Sequence, residues 1–278
     1  MKRPRYQDVS PHPKREGRLP PELAVLAARL KSRLQEANAG AAALRLLHER
    51  APDERLALAY LLKLAEQSPA LTNRALSDDA LAGDLIFCLG CSELIGTALS
   101  AMGDSWLEFF SSARTASESS ILDIAPPDAS AIDDRTAAGR ALADFKQRTF
   151  TRIAIADLLR KLDVAGTIRA MSRLADGCIT AALEMSRRLM GPRADRAGEL
   201  CVLAMGKLGV HELNLASDID LIYLFDAPEP EAGEEAARLA ATLTELLSAN
   251  CFRVDLRLRP GGRNSPLATS IRGALTFY

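Results

Sequence analysis

From Pro21 to about Leu189 apolar residues recur every three to four positions, and only past Leu200 does the pattern change to alternation. Pro21 suits the first turn of a helix, and Leu23, Leu26, Leu30 and Leu34 behind it share one helical face. The same spacing predicts helices over 41–50, 53–67 and 94–111, then two long ones over 135–162 and 164–189. In the last of these, Ile168, Met171, Leu174, Cys178, Met185 and Leu189 form a packing stripe, and Gly191-Pro192 ends it. Between the two helical sets, 111–134 is Ser-rich, carries Pro126-Pro127 and Asp133-Asp134, and reads as a linker.

Three strands are predicted near the C-terminal end. Leu200–Ala204 is the first. Ile219–Phe225 is the second, with Leu221, Tyr223 and Phe225 on one face and Ile222 and Leu224 on the other, as in a central strand covered on both sides. The third, Arg253–Arg259, alternates strictly: Phe252, Val254, Leu256 and Leu258 face a core, while Arg253, Asp255, Arg257 and Arg259 share the opposite face. An amphipathic helix over 231–249, with Glu231, Glu234 and Glu235 in its first turn, links the second strand to the third. The expected fold class is α+β, a mostly helical N-terminal region followed by a core with a small mixed sheet.

Composition narrows the class without changing this picture. A chain of 278 residues, 48% apolar and 5% aromatic, suits one or two globular domains with an Ala/Leu-rich core. A net charge of −1 gives no overall pull toward nucleic acid, and the basic stretch 1–20, with Pro4, Pro11 and Pro13, reads as a disordered tail. No run approaches the roughly 18 apolar residues of a membrane span, and the N-terminus lacks a signal-peptide core. Five cysteines, an odd number, point with these features to the cytoplasm. Cys88 and Cys91 have redox or zinc spacing but no second pair, so these two, Cys178, Cys201 and Cys251 are expected to be buried thiols. His12, His48 and His211 share no ligand spacing.

Candidate chemistry concentrates at the strands. Asp218 and Asp220, two apart at the mouth of a strand, fall on one face, and two carboxylates this close repel unless a cation relieves them. Asp255 can complete the set. Oxygen ligands favour magnesium, with manganese an alternative, and Arg257 and Arg259 can hold phosphate oxygens with forked donors. The other reading of the third strand is a ladder of salt bridges on a solvated face.

The passage Met205-Gly-Lys-Leu-Gly-Val-His-Glu-Leu-Asn-Leu-Ala-Ser-Asp-Ile-Asp-Leu221 resembles the signature of the bifunctional glutamine synthetase adenylyltransferase/adenylyl-removing enzymes, members of the polymerase-beta-like nucleotidyltransferase superfamily. Val254-Asp-Leu-Arg-Leu-Arg-Pro260 is similar to that family's second signature, and Leu89-Gly-Cys-Ser-Glu-Leu94 and Phe145–Ile153 resemble upstream segments more loosely. Val210 stands where the family has a glycine, and a β-branched residue resists positive φ, so an altered turn is expected there.

The resemblance implies a domain layout: 1–20 tail, 21–130 helical region and linker, and 131–278 a nucleotidyltransferase domain that is C-terminally incomplete. The wording around Met205 and Glu212–Asn214 resembles the adenylyl-removing half of the family. That implies phosphorolysis, in which phosphate takes AMP from an adenylylated tyrosine of glutamine synthetase and ADP leaves. By the same resemblance Asp218, Asp220 and Asp255 are the catalytic and metal-binding residues. Gly206, Lys207, Ser217, Arg257 and Arg259 contact phosphate or nucleotide. Two other readings stay open: transfer of AMP from ATP to the tyrosine, and a fragment that binds its partner without turnover. Neither nucleic acid nor membrane is an expected partner.

Overall fold

The computed structural model describes residues 21–34, 37–130, 132, 134–227 and 232–278; the basic tail and Glu231 lie outside them. The described residues fall into two compact units that divide between Leu107 and Glu108. The first is helical: α1 (Pro21–Arg33), α2 (Ala37–Arg50), α3 (Glu54–Gln67), α4 (Pro69–Leu76), α5 (Asp79–Cys91) and α6 (Glu93–Ala101). Side-chain oxygens set the helix starts: Asp53 accepts from Leu56 N, Asp78 from Ala80 N and Leu81 N, and Ser92 from Ile95 N. Leu30, Leu58, Leu61, Leu85 and Ile95 are fully buried. Among the described residues no single helix is long and apolar enough to cross a membrane; α5 and α6, the apolar pair, bend by 117° at their junction.

The division falls inside α7 (Trp106–Thr115), after which come α8 (Glu118–Leu122), α9 (Arg135–Leu158), α10 (Val164–Met190) and α11 (Pro192–Arg196). The stretch 111–134, expected to be a linker, is instead partly built: α7 and α8 run through it, and Ile121 and Ala129 are buried in the second unit's core. Asp134 and Asp163 cap α9 and α10 by accepting from Ala137 N and Gly166 N. Met171, Leu174, Cys178 and Met185 are buried as the stripe predicts. Cys91 and Cys201 are exposed, against expectation, because each sits on the solvent side of its element, while Cys88 and Cys178 are buried.

The sheet follows. β1 (Glu199–Met205) leads through the short α12 (Gly206–Gly209) to β2 (Ile219–Asp226), α13 (Ala232–Asn250) crosses to β3 (Val254–Asp255), and β4 (Ala268–Ser270) precedes α14 (Ile271–Phe277). β1 pairs antiparallel with β2 from Glu199 opposite Asp226 to Met205 opposite Asp220. β3 and β4 both run parallel to β2, β3 at Ile219–Asp220 and β4 at Tyr223–Phe225, so they share its other edge. A parallel neighbour needs a crossover, and α13 supplies it. Ile219, Leu221, Tyr223 and Phe225 join one core with α9, α10 and α13, and Ile222 is buried on the opposite face, so β2 is the covered central strand expected. Tyr223 Oη lies 3.0 Å from Thr244 Oγ1, fixing the strand to α13.

The third strand departs from its prediction. It pairs only at Val254 and Asp255, because the Asp255 carboxylate accepts from Arg257 N at 2.9 Å and turns the chain. Pro260 and two glycines at positive φ, Gly261 and Gly262, then carry it away from the sheet. Leu258, expected to face the core, is 48% exposed.

Candidate active site

The face of the sheet turned away from the α9–α10–α13 core carries the acidic residues. Asp220 and Asp255 are register partners on parallel strands, which places their side chains side by side on one face. Asp218, two residues before Asp220 and just ahead of β2, falls on the same face.

The turn after β1 presses on this group. Gly206 has φ +55, and a Cβ there would lie 2.3 Å from Asp220 Oδ2, so only glycine leaves room for the carboxylate. A Cβ on Gly209 would lie 2.6 Å from the Ala204 carbonyl oxygen, so the one-turn helix closes tightly onto β1. Val210 avoids the positive φ that a β-branched residue resists and takes φ −107, and the positive φ falls on His211, whose Nδ1 lies 3.8 Å from Asp176.

Lys207 and Ser217, ten residues apart, are brought together. Lys207 Nζ donates to Ser217 Oγ at 3.3 Å, and Ser217 Oγ donates to Asn214 Oδ1 at 2.8 Å. The same Asn214 oxygen accepts from Ala216 N at 3.1 Å, so this side chain shapes the loop that delivers Ser217 and Asp218. From sequence Asn214 is named only within the family wording, without a role; its place two residues ahead of Ala216 is the signal of an Asx turn that could have found it.

Two of the three carboxylates are held by arginines. Arg253 Nη2 donates to Asp218 Oδ2, with 80% of the Arg253 side chain exposed. Arg257 Nε donates to Asp255 Oδ2 at 2.7 Å and to Oδ1 at 3.0 Å. This hydrogen bond, helped by the Arg257 backbone N–H, holds the Asp255 carboxyl below the usual carboxylate range, and in return it raises the Arg257 guanidinium. Asp220 and Asp218 also act on Arg257, which thus sits in the field of the whole acidic group. The salt-bridge ladder entertained for the third strand is therefore present in two of its rungs. Arg259 goes elsewhere: its Nη1 donates to the Leu256 carbonyl at 2.9 Å and its Nε and Nη2 reach the Ser265 carbonyl at 3.4 Å, bracing the loop beyond β3.

The carboxylates are hard oxygen donors of the kind magnesium or manganese takes. Among the described residues, however, no three acidic, histidine or cysteine side chains converge on one point as ligands would. The donor set suits such a cation in kind and in placement on one face, and a cation would have to draw Asp218 and Asp255 off Arg253 and Arg257.

A small mixed sheet backed by helices, with carboxylates on two neighbouring strands beside a glycine turn and a Lys–Ser pair, is the layout of a nucleotidyltransferase domain. The sequence model of the glutamate-ammonia ligase adenylyltransferase family matches residues 83–278, and the chain belongs to that family. It is similar to the bifunctional glutamine synthetase adenylyltransferase/adenylyl-removing enzyme of Pseudomonas aeruginosa, 39% identical over 52% of this chain and 17% of that protein. It is also similar to the enzymes of the same name from Mesorhizobium japonicum, 37% identical over 49% of this chain and 16% of that protein, and from Mycobacterium marinum, 29% identical over 82% and 24%. The chain thus spans a quarter or less of these relatives' length.

Proposed function

We propose that the chain catalyses phosphorolytic removal of AMP from an adenylylated tyrosine of glutamine synthetase. The observation that carries this reading is the pairing of Asp220 with Asp255, flanked by Asp218, directly beside the Gly206 turn and the Lys207–Ser217 contact. In the reaction an oxygen of inorganic phosphate attacks the AMP phosphorus, the bond from phosphorus to the tyrosine oxygen breaks, ADP forms, and the tyrosine oxygen takes up a proton. Lys207 and Ser217 hold a phosphate, with Asn214 fixing the hydroxyl. Gly206 lets backbone approach where a side chain would collide with Asp220. Arg257, with a side chain 67% exposed, has room to swing from Asp255 onto phosphate oxygens and neutralise charge as the bond breaks. Arg259 supports this from behind by holding the loop that presents Arg257. Magnesium, or manganese, bound by Asp218, Asp220 and Asp255 would supply charge neutralisation to the phosphoryl oxygens.

Incubating the purified chain with adenylylated glutamine synthetase, phosphate and magnesium, and following ADP, tests the reading. ADP formed by the wild type and lost in Asp220→Ala supports it; an Asp220→Ala protein with full activity sinks it. A parallel arm with ATP and unmodified glutamine synthetase separates removal from attachment of AMP. The second reading, binding of the partner without turnover, is favoured by the engagement of Asp218 and Asp255 with arginines. Retention of glutamine synthetase on the immobilised chain, with no ADP and no AMP transfer in either arm, would favour it.

A further inference from the structure

The second unit holds a cleft that shares no residue with the acidic face. It lies between the chain after α8 and one side of α9 and has a volume of about 240 Å³. Ile121, Ile124, Phe145 and Ile153 form its apolar lining, with Ile121 and Ile153 buried. Arg148, Arg152 and Asp123 are its charged residues.

Arg152 is the informative one. Its Nη2 donates to Ser120 Oγ at 2.6 Å, yet its Nε is buried and has no hydrogen-bond partner among the described residues. Nε has essentially no accessible surface while the residue is half-buried, so a ligand in the cleft meets this guanidinium at its terminal nitrogens rather than at Nε. Arg148, one helical turn earlier, is held with its guanidinium carbon 5.4 Å from the centre of the Phe109 ring, which places a second cation at the same cleft. The two guanidinium groups against Asp123 leave the lining with one net positive charge.

We propose that this cleft binds a small organic monoanion, a carboxylate with a short apolar body, its oxygens on Arg152 and Arg148 and its body on Ile121, Ile124, Phe145 and Ile153. The charge favours one negative group, and the fork of a guanidinium matches the two oxygens of a carboxylate. The apolar walls reject a fully hydrated inorganic anion. The space is that of roughly eight water molecules at about 30 Å³ each, enough for a ligand of about ten heavy atoms. This site stands independently of the reaction proposed at the acidic face, because its residues take no part there.

Hexanoate and benzoate are suitable probes, with inorganic phosphate as the anion lacking an apolar body and hexanol as the body lacking an anion. Titration of the whole chain by calorimetry, with thermal melting as a second readout, is expected to give one saturable site for hexanoate, displaced by benzoate and by neither control. Arg148 is exposed, so Arg148→Gln should leave the fold intact and weaken hexanoate by about tenfold, the scale of one charge-assisted hydrogen bond. Thr149→Trp, which fills the cleft from its wall, should abolish binding while circular dichroism stays unchanged. Failure of hexanoate to bind the wild type, equal binding by phosphate or hexanol, or unchanged binding in both folded variants would overturn the proposal.

Discussion

At the scale of single residues, Gly206 and Arg253 have the clearest consequences. Gly206 combines φ +55 with a phantom Cβ 2.3 Å from Asp220 Oδ2, so Gly206→Ala must either unwind the turn or push the carboxylate aside. Left-handed backbone costs a non-glycine residue about 1–2 kcal/mol, and displacing a reacting group by about 1 Å can cost about 100-fold in rate. The expected outcome is a melting temperature lowered by a few degrees with ADP formation down about 100-fold; an alanine variant with normal turnover would show that the contact is not functional. Arg253 competes with any cation for Asp218. Its side chain is 80% exposed, and an exposed pair is worth no more than about 1 kcal/mol, so Arg253→Gln should tighten manganese binding by up to about fivefold. Electron paramagnetic resonance of free manganese measures this without turnover, and weaker binding in the variant would mean that Arg253 helps to position Asp218. Much of this site was readable from the chain. Spacing of two put Asp218 and Asp220 on one face, and Asp255 lay on the strand predicted to answer them. The partners of Lys207 and Arg253 were not readable, because they depend on how a loop and a strand end meet in space.

At the scale of elements, β2 was legible and β3 was not. Beyond Asp220, the run from Leu221 to Phe225 is apolar on both faces, so burial alone defines it. The alternation from Phe252 to Leu258 looked equally regular, but a strand continues only while its backbone finds a partner, and the Asp255 carboxylate takes Arg257 N for a turn first. β4 escaped notice because Ala268–Ser270 is too short to show a period. The stretch 111–134 resembled a linker by its serines and prolines, yet Ile121 and Ala129 supplied enough apolar surface to pack. The contact of β2 with α13 yields a pH test. Burial pushes the Tyr223 phenol up to about 12 from its ordinary value of 10.0, with the bond to Thr244 opposing in part. The folded state then holds the Tyr223 proton where the unfolded chain loses it. Its contribution is complete below about pH 10 and is lost as pH rises toward about 12. Tyr223→Phe should cost about 1 kcal/mol at neutral pH, for the lost hydrogen bond. It should also flatten the fall in stability between those two pH values; urea melts across the range read both, and parallel curves for the two proteins would place Tyr223 outside the titration.

At the scale of the whole molecule, the acidic face, the Lys207–Ser217 contact and the cleft at Arg152 all lie in the unit that begins at Glu108. Its core cluster runs from Ile121 to Ala268 and joins α9, α10 and α13 to one face of the sheet. A set of residues that buries its own apolar surface in this way should fold by itself. The family match reaches back to residue 83, inside α5, so sequence kinship does not follow the structural division. Kinship records which residues descend together, whereas folding depends on which residues bury one another, and here the two predict different limits for a minimal piece. A chain beginning at Gly103, which keeps α7 whole, should show one cooperative thermal transition and native near-ultraviolet dichroism. Its manganese affinity, measured beside that of the full chain, should be the same. A noncooperative melt with strong dye binding would mean that the helices before Gly103 are needed to complete the second unit, and that the limit drawn by the family match is the physical one.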